Sequence, residues 1–205
     1  MYLNKELRKQ IKEILDNDGV IAFVTDTVWG LGCLPNSEIA VKKIYEIKKR
    51  EAQKPLILMS NKVENLKPYL NDINSNAKTL IEKYFPGALT LVLEKSNITP
   101  DFMTSGFNTV GIRVPDNNVF EEICEAATGH VLATTSANLS HEPSAKTYEQ
   151  AVENMGKKAD LIIEDFGQVA KGIESTVALL LNESVKVLRQ GAISLKAWQN
   201  GKEVL

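Results

Sequence analysis

The arginines are the first side chains in this sequence whose type and spacing indicate chemistry. The chain holds four, and three of them, Arg50, Arg113 and Arg189, lie within a few residues of a proline or glycine that breaks regular structure. A guanidinium binds a phosphate or a carboxylate through two parallel hydrogen bonds. The pattern predicts a site for an anionic small molecule. The competing interpretation is three ordinary surface ion pairs, which contribute little to stability.

Residues 48–55, with the sequence KKREAQKP, place four cations beside one carboxylate. The whole chain has a net charge of −2 and a pI of about 5.8, so it lacks the global basic field of DNA-binding domains. Three interpretations stay open for this segment: a solvated loop, a phosphate-binding segment, or a local RNA-binding patch that also includes Lys42 and Lys43.

Three polar segments follow predicted strands or precede one: TDTVWG (25–30), TTSAN (134–138) and GIEST (172–176). Ligands of open α/β sheets gather at strand ends, so these hydroxyl and amide groups could line one cleft and orient a small polar ligand. The alternative is helix capping and turn formation. Asp26 also has a functional and a structural interpretation: it could bind Mg²⁺, or it could cap its loop.

Several enzyme classes lack their signals in this chain. His130 and His141 are the two histidines, and neither has metal-ligand spacing to another His, Cys or carboxylate. No nucleophile elbow, Walker A motif or Gly-x-Gly-x-x-Gly element is present. Two cysteines, Cys33 and Cys124, are too few for a disulfide framework, which favours a reducing compartment. The N-terminus is charged and no apolar run is long enough to span a membrane, so we expect a cytoplasmic protein.

Hydrophobic periodicity places these segments on an α/β scaffold. A second helix begins near Ser37 and is expected to turn Ile39, Ile44 and Ile47 inward, and residues 26–32 are expected to form a loop. Some neighbouring strands are not separated by helices, so the sequence predicts one domain over residues 1–205, with a twisted mixed parallel and antiparallel sheet flanked by helices. The predicted helices are 4–17, 62–70, 75–85, 118–127 and 147–155, and the predicted strands are 20–25, 56–60, 88–94, 108–115, 130–138, 160–165, 175–181 and 185–191.

Seven ordered segments carry a resemblance to a known family. They are TDTVWGLGC (25–33), IYEIKKREAQKPL (44–56), FPGALTLVLEKS (85–96), TVGIRVPDN (109–117), TTSANLSHEPSAKT (134–147), ESTVALL (174–180) and VLRQGAIS (187–194). In order and spacing the chain resembles the YrdC/Sua5 family over about residues 8–195. The resemblance implies a YrdC-like fold with a concave basic cleft. It also implies L-threonylcarbamoyladenylate synthesis from L-threonine, bicarbonate or CO₂, and ATP, with Mg²⁺ bound to the nucleotide.

The resemblance also assigns roles to individual residues, and it supplies no metal ligand from the protein. Lys48 and Arg50 match the family's basic catalytic signature. The threonine-binding positions are Thr27, Met59, Arg113, Ser136 and Ser175, and the ATP-binding positions are Arg50, Lys54, Thr109, Asn138, Ser144 and Arg189. Three positions depart from the pattern: Glu51 replaces a common proline, Met59 a polar residue, and Trp29 a usual tyrosine.

The family implies partners and leaves alternatives open. The product would pass to the tRNA threonylcarbamoyl-transferase machinery in a transient complex. A YciO-like relative shares the fold and many of the motifs. The alternatives are therefore an RNA-binding or RNA-maturation protein, or a paralogue that processes the adenylate.

Overall fold

The computed structural model describes residues 1–49, 54–140, 142–182, 184–195, 198–199 and 202–203. Helices separate many of the strands in this part of the chain, whereas the four strands nearest the C-terminus follow one another directly. The helices are α1 (Lys5–Asp16), α2 (Glu38–Lys48), α3 (Val63–Leu66), α4 (Ser75–Tyr84), α5 (Asp101–Thr104), α6 (Asn118–Ala126) and α7 (Tyr148–Met155), with short 3₁₀ turns at Lys67–Tyr69, Thr128–His130 and Gly156–Lys158.

The strands of the described ranges form one eleven-stranded sheet in the order β11-β10-β9-β8-β4-β5-β3-β6-β2-β1-β7. Three neighbouring pairs, β1 with β7, β3 with β5 and β4 with β8, are parallel, and the others are antiparallel. The prediction of a mixed sheet flanked by helices is confirmed. The strands are β1 (Ile21–Phe23), β2 (Gly30–Cys33), β3 (Ile57–Ser60), β4 (Leu89–Glu94), β5 (Thr109–Arg113), β6 (Val131–Ser136), β7 (Leu161–Ile162), β8 (Thr176–Leu181), β9 (Ser184–Arg189), β10 (Trp198–Gln199) and β11 (Lys202–Glu203).

The first two helices begin at side-chain caps that the sequence supplies. Asn4 accepts a hydrogen bond from the Leu7 amide at 2.8 Å, and Ser37 accepts one from the Ala40 amide at 3.0 Å. The prediction that Ile39 turns inward is wrong, because its side chain is 66% exposed. Helix α2 instead buries the face that ends at Lys48.

Strand β2 corrects the prediction of a loop over residues 26–32. Gly30 and Gly32 belong to a fully buried strand that pairs antiparallel with β1. A Cβ atom on Gly30 would lie 2.6 Å from the Phe23 ring, and one on Gly32 would lie 3.0 Å from the same ring. These glycines therefore allow a strand to pack closely on an aromatic side chain. In the sequence alone, two glycines so close together indicate a turn.

The strand hairpin at the C-terminal side is confirmed. Strands β8 and β9 pair antiparallel, with Leu181 opposite Ser184, and β8 also pairs parallel with β4. Alternate residues of a strand point to opposite faces of the sheet. On β3, Leu58 is fully buried, whereas Ile57 and Met59 face a cavity on the other side.

Crossing a membrane requires a helix of about 20 predominantly apolar residues, a standard that can be applied to the helices of the described part of the chain. None of them is both long and apolar enough.

Candidate functional site

A cavity of about 210 Å³ lies where strands from both halves of the sheet meet. Hydroxyl side chains and two arginines supply its polar walls, and aliphatic and aromatic side chains supply the rest. The lining residues are Thr25, Thr27, Val28, Trp29, Gly30, Pro55, Ile57, Met59, Thr90, Arg113, Thr134, Thr135, Ser136, Glu174, Ser175, Val177 and Arg189.

Arg113, the last residue of β5, is 2% exposed and is held by three groups. Its Nη2 donates to Asp26 Oδ1 at 2.5 Å, its Nη1 to Thr27 Oγ1 at 2.8 Å, and its Nε to the Gly87 carbonyl at 2.9 Å. Burial lowers the pKa of this guanidinium, while the carboxylate of Asp26 raises it. A guanidinium has five N–H groups, so one on Nη1 and one on Nη2 remain available to a bound anion.

Thr27 presents a hydrogen-bond acceptor beside this cation. The Thr25 hydroxyl donates to the Val28 carbonyl at 2.6 Å, so in its 3.0 Å contact with Thr27 it must accept. The Thr27 proton is therefore used within the protein, and one of its lone pairs receives Arg113. Its remaining lone pair is suited to a ligand that donates, such as an amine or a hydroxyl.

Ser136, at the end of β6 and paired with Gly30 of β2, repeats this arrangement. Its hydroxyl donates to Asn138 Oδ1 at 2.5 Å, and the Asn138 amide donates to the carbonyls of Leu139 and Glu142. The buried Lys48 ammonium lies against the same segment, 2.5 Å from the Ser136 carbonyl, 2.7 Å from the Asn138 carbonyl and 3.0 Å from Asn138 Oδ1. Lys48 and Asn138 therefore position Ser136 by direct contact.

At the rim of the cavity, Glu174 connects two segments. Its Oε1 accepts a hydrogen bond from the Ser144 hydroxyl at 3.0 Å, and its Oε2 forms an ion pair with Arg189 Nη1. Arg189 Nη2 also donates to the Ser175 carbonyl at 2.9 Å, and the Ser175 hydroxyl shares a 2.8 Å hydrogen bond with Thr90. The rim thus contains a cation, Arg189, paired with a carboxylate, Glu174, and both side chains are partly exposed.

The structure brings together one subset of the predicted site residues. All five predicted threonine positions line the cavity, and so does Arg189. Asn138 and Lys48 lie behind the wall, Ser144 contacts Glu174, and Lys54 is exposed next to the lining residue Pro55. Thr109 is at the opposite end of β5 from Arg113, about 13 Å away along the strand. Arg50 and Glu51, which also carried predictions, lie outside the described residues.

For three residues of this geometry, the sequence does not reveal the contacts that the structure shows. The sequence allows Asp26 to be a Mg²⁺ ligand or a loop cap, and the structure pairs its carboxylate with Arg113. Glu174 had no assigned role. Trp29 is fully buried in the cavity wall, and among the described side chains its Nε1–H is the one buried polar group without a hydrogen-bond partner. Only tertiary contacts distinguish these roles, so no sequence signal could have revealed them.

The structure leaves fewer exposed, unpaired cations in the candidate RNA-binding patch than the sequence suggests. Lys48 is 2% exposed, Lys42 pairs with Glu38 at 2.8 Å, and Lys43 pairs with Asp160 at 2.6 Å. A buried ammonium cannot contact a phosphate backbone, and the other two cations are already partly neutralised by carboxylates.

Neither thiols nor metal ligands form a reactive centre in the part of the chain described. Burial raises the pKa of Cys33 to about 12 and also raises the pKa of Cys124. The ring of His130 packs with Nδ1 3.0 Å from the Cys124 carbonyl, and His141 lies in a gap of the described ranges. Within those ranges, no three His, Cys, Asp or Glu residues form a group that could hold a metal ion.

Two curated relatives resemble this chain closely in sequence. A threonylcarbamoyl-AMP synthase of Pyrococcus abyssi is 37% identical over 177 residues, which are 86% of this chain and 52% of the relative. The chain therefore spans about half the length of that protein. A threonylcarbamoyl-AMP synthase of Enterobacter is 34% identical over 160 residues, which are 77% of this chain and 84% of the relative.

Solved structures agree with the sequence comparisons. Sua5 of P. abyssi in complex with L-threonine superposes with a TM-score of 0.88 and 33% identity, over 95% of this chain and 57% of that one. YciO of E. coli superposes with a TM-score of 0.84 and 27% identity, over 94% of this chain and 93% of that one.

The family comparison covers nearly the whole sheet and every described cavity residue. The model of the Sua5/YciO/YrdC family, described by the words "Telomere recombination", matches residues 13–191. The chain belongs to the Sua5/YciO/YrdC family.

Proposed function

We propose that this chain is a threonylcarbamoyl-AMP synthase, which converts L-threonine, bicarbonate or CO₂, and ATP into threonylcarbamoyl-AMP and pyrophosphate. Two relatives with this name are 37% and 34% identical to it. The observation that carries the proposal is the polarity of the cavity, which is lined by Arg113, with two N–H groups left for a ligand, and by Thr27 and Ser136, whose hydroxyl protons are used within the protein.

This polarity fits a free amino acid. The carboxylate of threonine would bind the remaining N–H groups of Arg113, and its amine or hydroxyl would donate to Thr27 and Ser136. The volume supports the same assignment. About 210 Å³ is smaller than the roughly 300–1,000 Å³ typical of pockets for drug-sized ligands, so it suits an amino acid better than a whole nucleotide. ATP would extend across the rim, towards Arg189 and Ser144.

The chemistry requires alignment more than proton transfer by a side chain. The neutral threonine amine adds to CO₂ and releases a proton to water to form a carbamate, and a carbamate oxygen then attacks the α-phosphorus of ATP. The new bond joins that oxygen to phosphorus, and the bond to the pyrophosphate leaving group breaks. Binding both reactants in one orientation and neutralising phosphate charge are the main contributions that a protein can make to such a step. Arg113 suits the alignment of threonine and Arg189 the neutralisation of phosphate charge, while Lys48 acts through Ser136.

The residues in and beside the cavity fit a metal ion poorly. Among the described residues, Glu174 in the lining and Asp26 behind Arg113 are each paired with an arginine, and no cluster of three metal ligands is present there. We therefore assign no Mg²⁺ ligand to the protein. If Mg²⁺ takes part, it enters as a complex with ATP, whose phosphates supply its ligands.

We also propose the domain organisation, the cellular compartment and the fate of the product. One YrdC-like domain would carry the activity, since the strands of the described ranges form one sheet. Two buried free thiols suit a reducing compartment such as the cytoplasm. The reactive mixed anhydride that is formed would pass to the proteins that modify tRNA.

The second candidate is a paralogue that consumes the adenylate instead of forming it. The specific observation in its favour is that the chain superposes on 93% of the length of E. coli YciO. Both candidates require the same cavity for a threonyl group, so binding of threonine alone does not separate them.

One assay separates the candidates. Purified protein is incubated with ATP, bicarbonate and radiolabelled threonine, while pyrophosphate is detected and the product is identified. We expect pyrophosphate release that depends on threonine and bicarbonate. ATP turnover indifferent to both would refute the synthase, and breakdown of added threonylcarbamoyl-AMP without its synthesis would favour the paralogue. RNA binding that is sensitive to salt and persists with ATP bound would support the RNA-binding alternative.

A further inference from the structure

Glu174 is a carboxylate placed among side chains that would bind phosphate. It lies in the loop before β8 and lines the cavity. Its two oxygens contact Arg189 from the end of β9 and Ser144 from the segment after β6. The family resemblance assigns both partners to the nucleotide. A carboxylate that accepts from a guanidinium and a hydroxyl presents the same pattern of acceptors as one edge of a phosphate group.

We propose that Glu174 is a displaceable internal anion of the nucleotide site. It holds Arg189 and Ser144 when no phosphate is bound, gives them up to the phosphates of ATP, and recovers them when pyrophosphate leaves. This inference rests on the proposed function, because it assumes that ATP reaches this rim. It assigns Glu174 as a positioning residue that lowers the affinity of the site for phosphates.

The solvent exposure of the Arg189–Glu174 ion pair supports replacement of the carboxylate by a phosphate. The side chains of Arg189 and Glu174 are 47% and 39% exposed, so solvent screens their attraction and separating them costs little. The Asp26–Arg113 pair differs, with side chains 6% and 2% exposed, and breaking it would leave two buried charges unpaired. Of these two ion pairs, the one at the rim is therefore suited to break and re-form in each catalytic cycle.

Exchange has a measurable consequence for affinity. A bound phosphate must replace the carboxylate on Arg189, and the displaced Glu174 still carries its negative charge nearby. Both effects weaken phosphate binding. Because a partly exposed ion pair contributes little, the expected effect on a dissociation constant is about two- to five-fold. The same effect acts on pyrophosphate, so it promotes product release.

The test is calorimetric titration of the full chain with ATP, with inorganic pyrophosphate and with L-threonine. Glu174→Gln keeps the shape and the acceptor oxygen but removes the charge. Glu6→Gln, at an exposed position of α1, is the matched control because it changes the net charge equally. For Glu174→Gln we expect ATP and pyrophosphate to bind about two- to five-fold more tightly, with threonine affinity unchanged. High salt, about 0.5 M, should reduce the difference because it screens the repulsion.

Each outcome decides the matter. ATP and pyrophosphate affinities that are unchanged or weaker in Glu174→Gln would overturn the proposal, because Glu174 would then only support Arg189. Equal tightening in Glu6→Gln would also overturn it, because net charge would be the cause. If Glu174→Gln does not fold, Glu174→Ala is measured with the same expectation. A wild-type protein that binds neither ATP nor pyrophosphate would overturn the proposed function as well. Threonine-dependent pyrophosphate release together with unchanged affinities would refute the role of Glu174 alone.

Discussion

The buried pair of Asp26 and Arg113 allows structural and functional roles to be separated by experiment. Arg113→Met removes the guanidinium but keeps a long apolar side chain, and Asp26→Asn removes the carboxylate charge with little change in shape. Each single variant leaves one buried ion without its partner, because the two side chains are 2% and 6% exposed and 2.5 Å apart. Removing one member of such a pair costs about 3–5 kcal/mol of unfolding free energy.

The double variant distinguishes pairing from independent effects. If the two residues acted independently, the losses would add to about 6–10 kcal/mol. Because both charges disappear together, we expect Asp26→Asn/Arg113→Met to lose less than either single variant. Each single variant should melt about 6–20 °C below the wild type, since 1 kcal/mol corresponds to about 2–4 °C in a chain of this size. Urea denaturation of the four proteins gives the coupling free energy directly.

Ligand binding provides the functional half of this prediction. Threonine binding should be lost in both variants that lack Arg113 and should persist in Asp26→Asn, because the Gly87 carbonyl and Thr27 still hold the guanidinium. Calorimetric titration with threonine and with ATP measures the dissociation constant of each ligand. Additive losses of stability would refute the pairing argument. An Arg113→Met variant that loses affinity for ATP more than for threonine would refute the assignment of Arg113 to the threonine carboxylate.

Two further predictions follow from buried groups. Lys48→Met should lower the free energy of unfolding by about 1–3 kcal/mol for each carbonyl left without a donor. It should also raise the KM for threonine, because Ser136 loses the contact that positions it. An unchanged free energy of unfolding in urea and unchanged kinetics would contradict this prediction. For Cys33, burial raises the pKa from its usual 9.0 to about 12, so the folded protein keeps a proton that the unfolded chain loses above pH 9. Stability should therefore fall as pH rises from 9 towards 12, by up to about 1.4 kcal/mol per pH unit for this group. Urea midpoints between pH 8 and 10.5 should fall less steeply in Cys33→Ala; identical slopes would argue against the burial effect.

Much of the fold follows from local sequence patterns. The N-terminal helix, the strand that ends at Arg113 and the hairpin of β8 and β9 could all be predicted, because each has a clear hydrophobic period and a capping or turn residue at its ends. The mixed sheet follows from strands that are too close in sequence for a crossover helix.

The errors arose where tertiary contacts decide the local structure. Gly30 and Gly32 resemble turn residues until the Phe23 ring is placed against them. Ile39 has the expected residue type for a buried position, but it lies on the exposed side of α2, and Lys48 occupies the buried side. Helix α5 is four residues long and was not predicted, because so short a segment has no detectable period.

The candidate site was predictable in part. Arginines near breaking residues and hydroxyl groups near strand ends indicated an anion site, and the family resemblance assigned them to threonine and ATP. The direction of each hydrogen bond was not accessible to the sequence. That Thr27 and Ser136 present acceptors depends on Thr25 and Asn138, which receive their protons.

The order of the strands has a consequence for how the protein acquires its activity during synthesis. Thr27, Arg113 and Ser136 come from the first two thirds of the chain, but Ser175 and Arg189 arrive with β8 and β9, which join the sheet through β4. A growing chain cannot form the cavity until β8 and β9 have paired. Threonine should therefore bind only after these two strands have joined the sheet, and by mass action it should slow amide hydrogen exchange across all the strands that open in global unfolding.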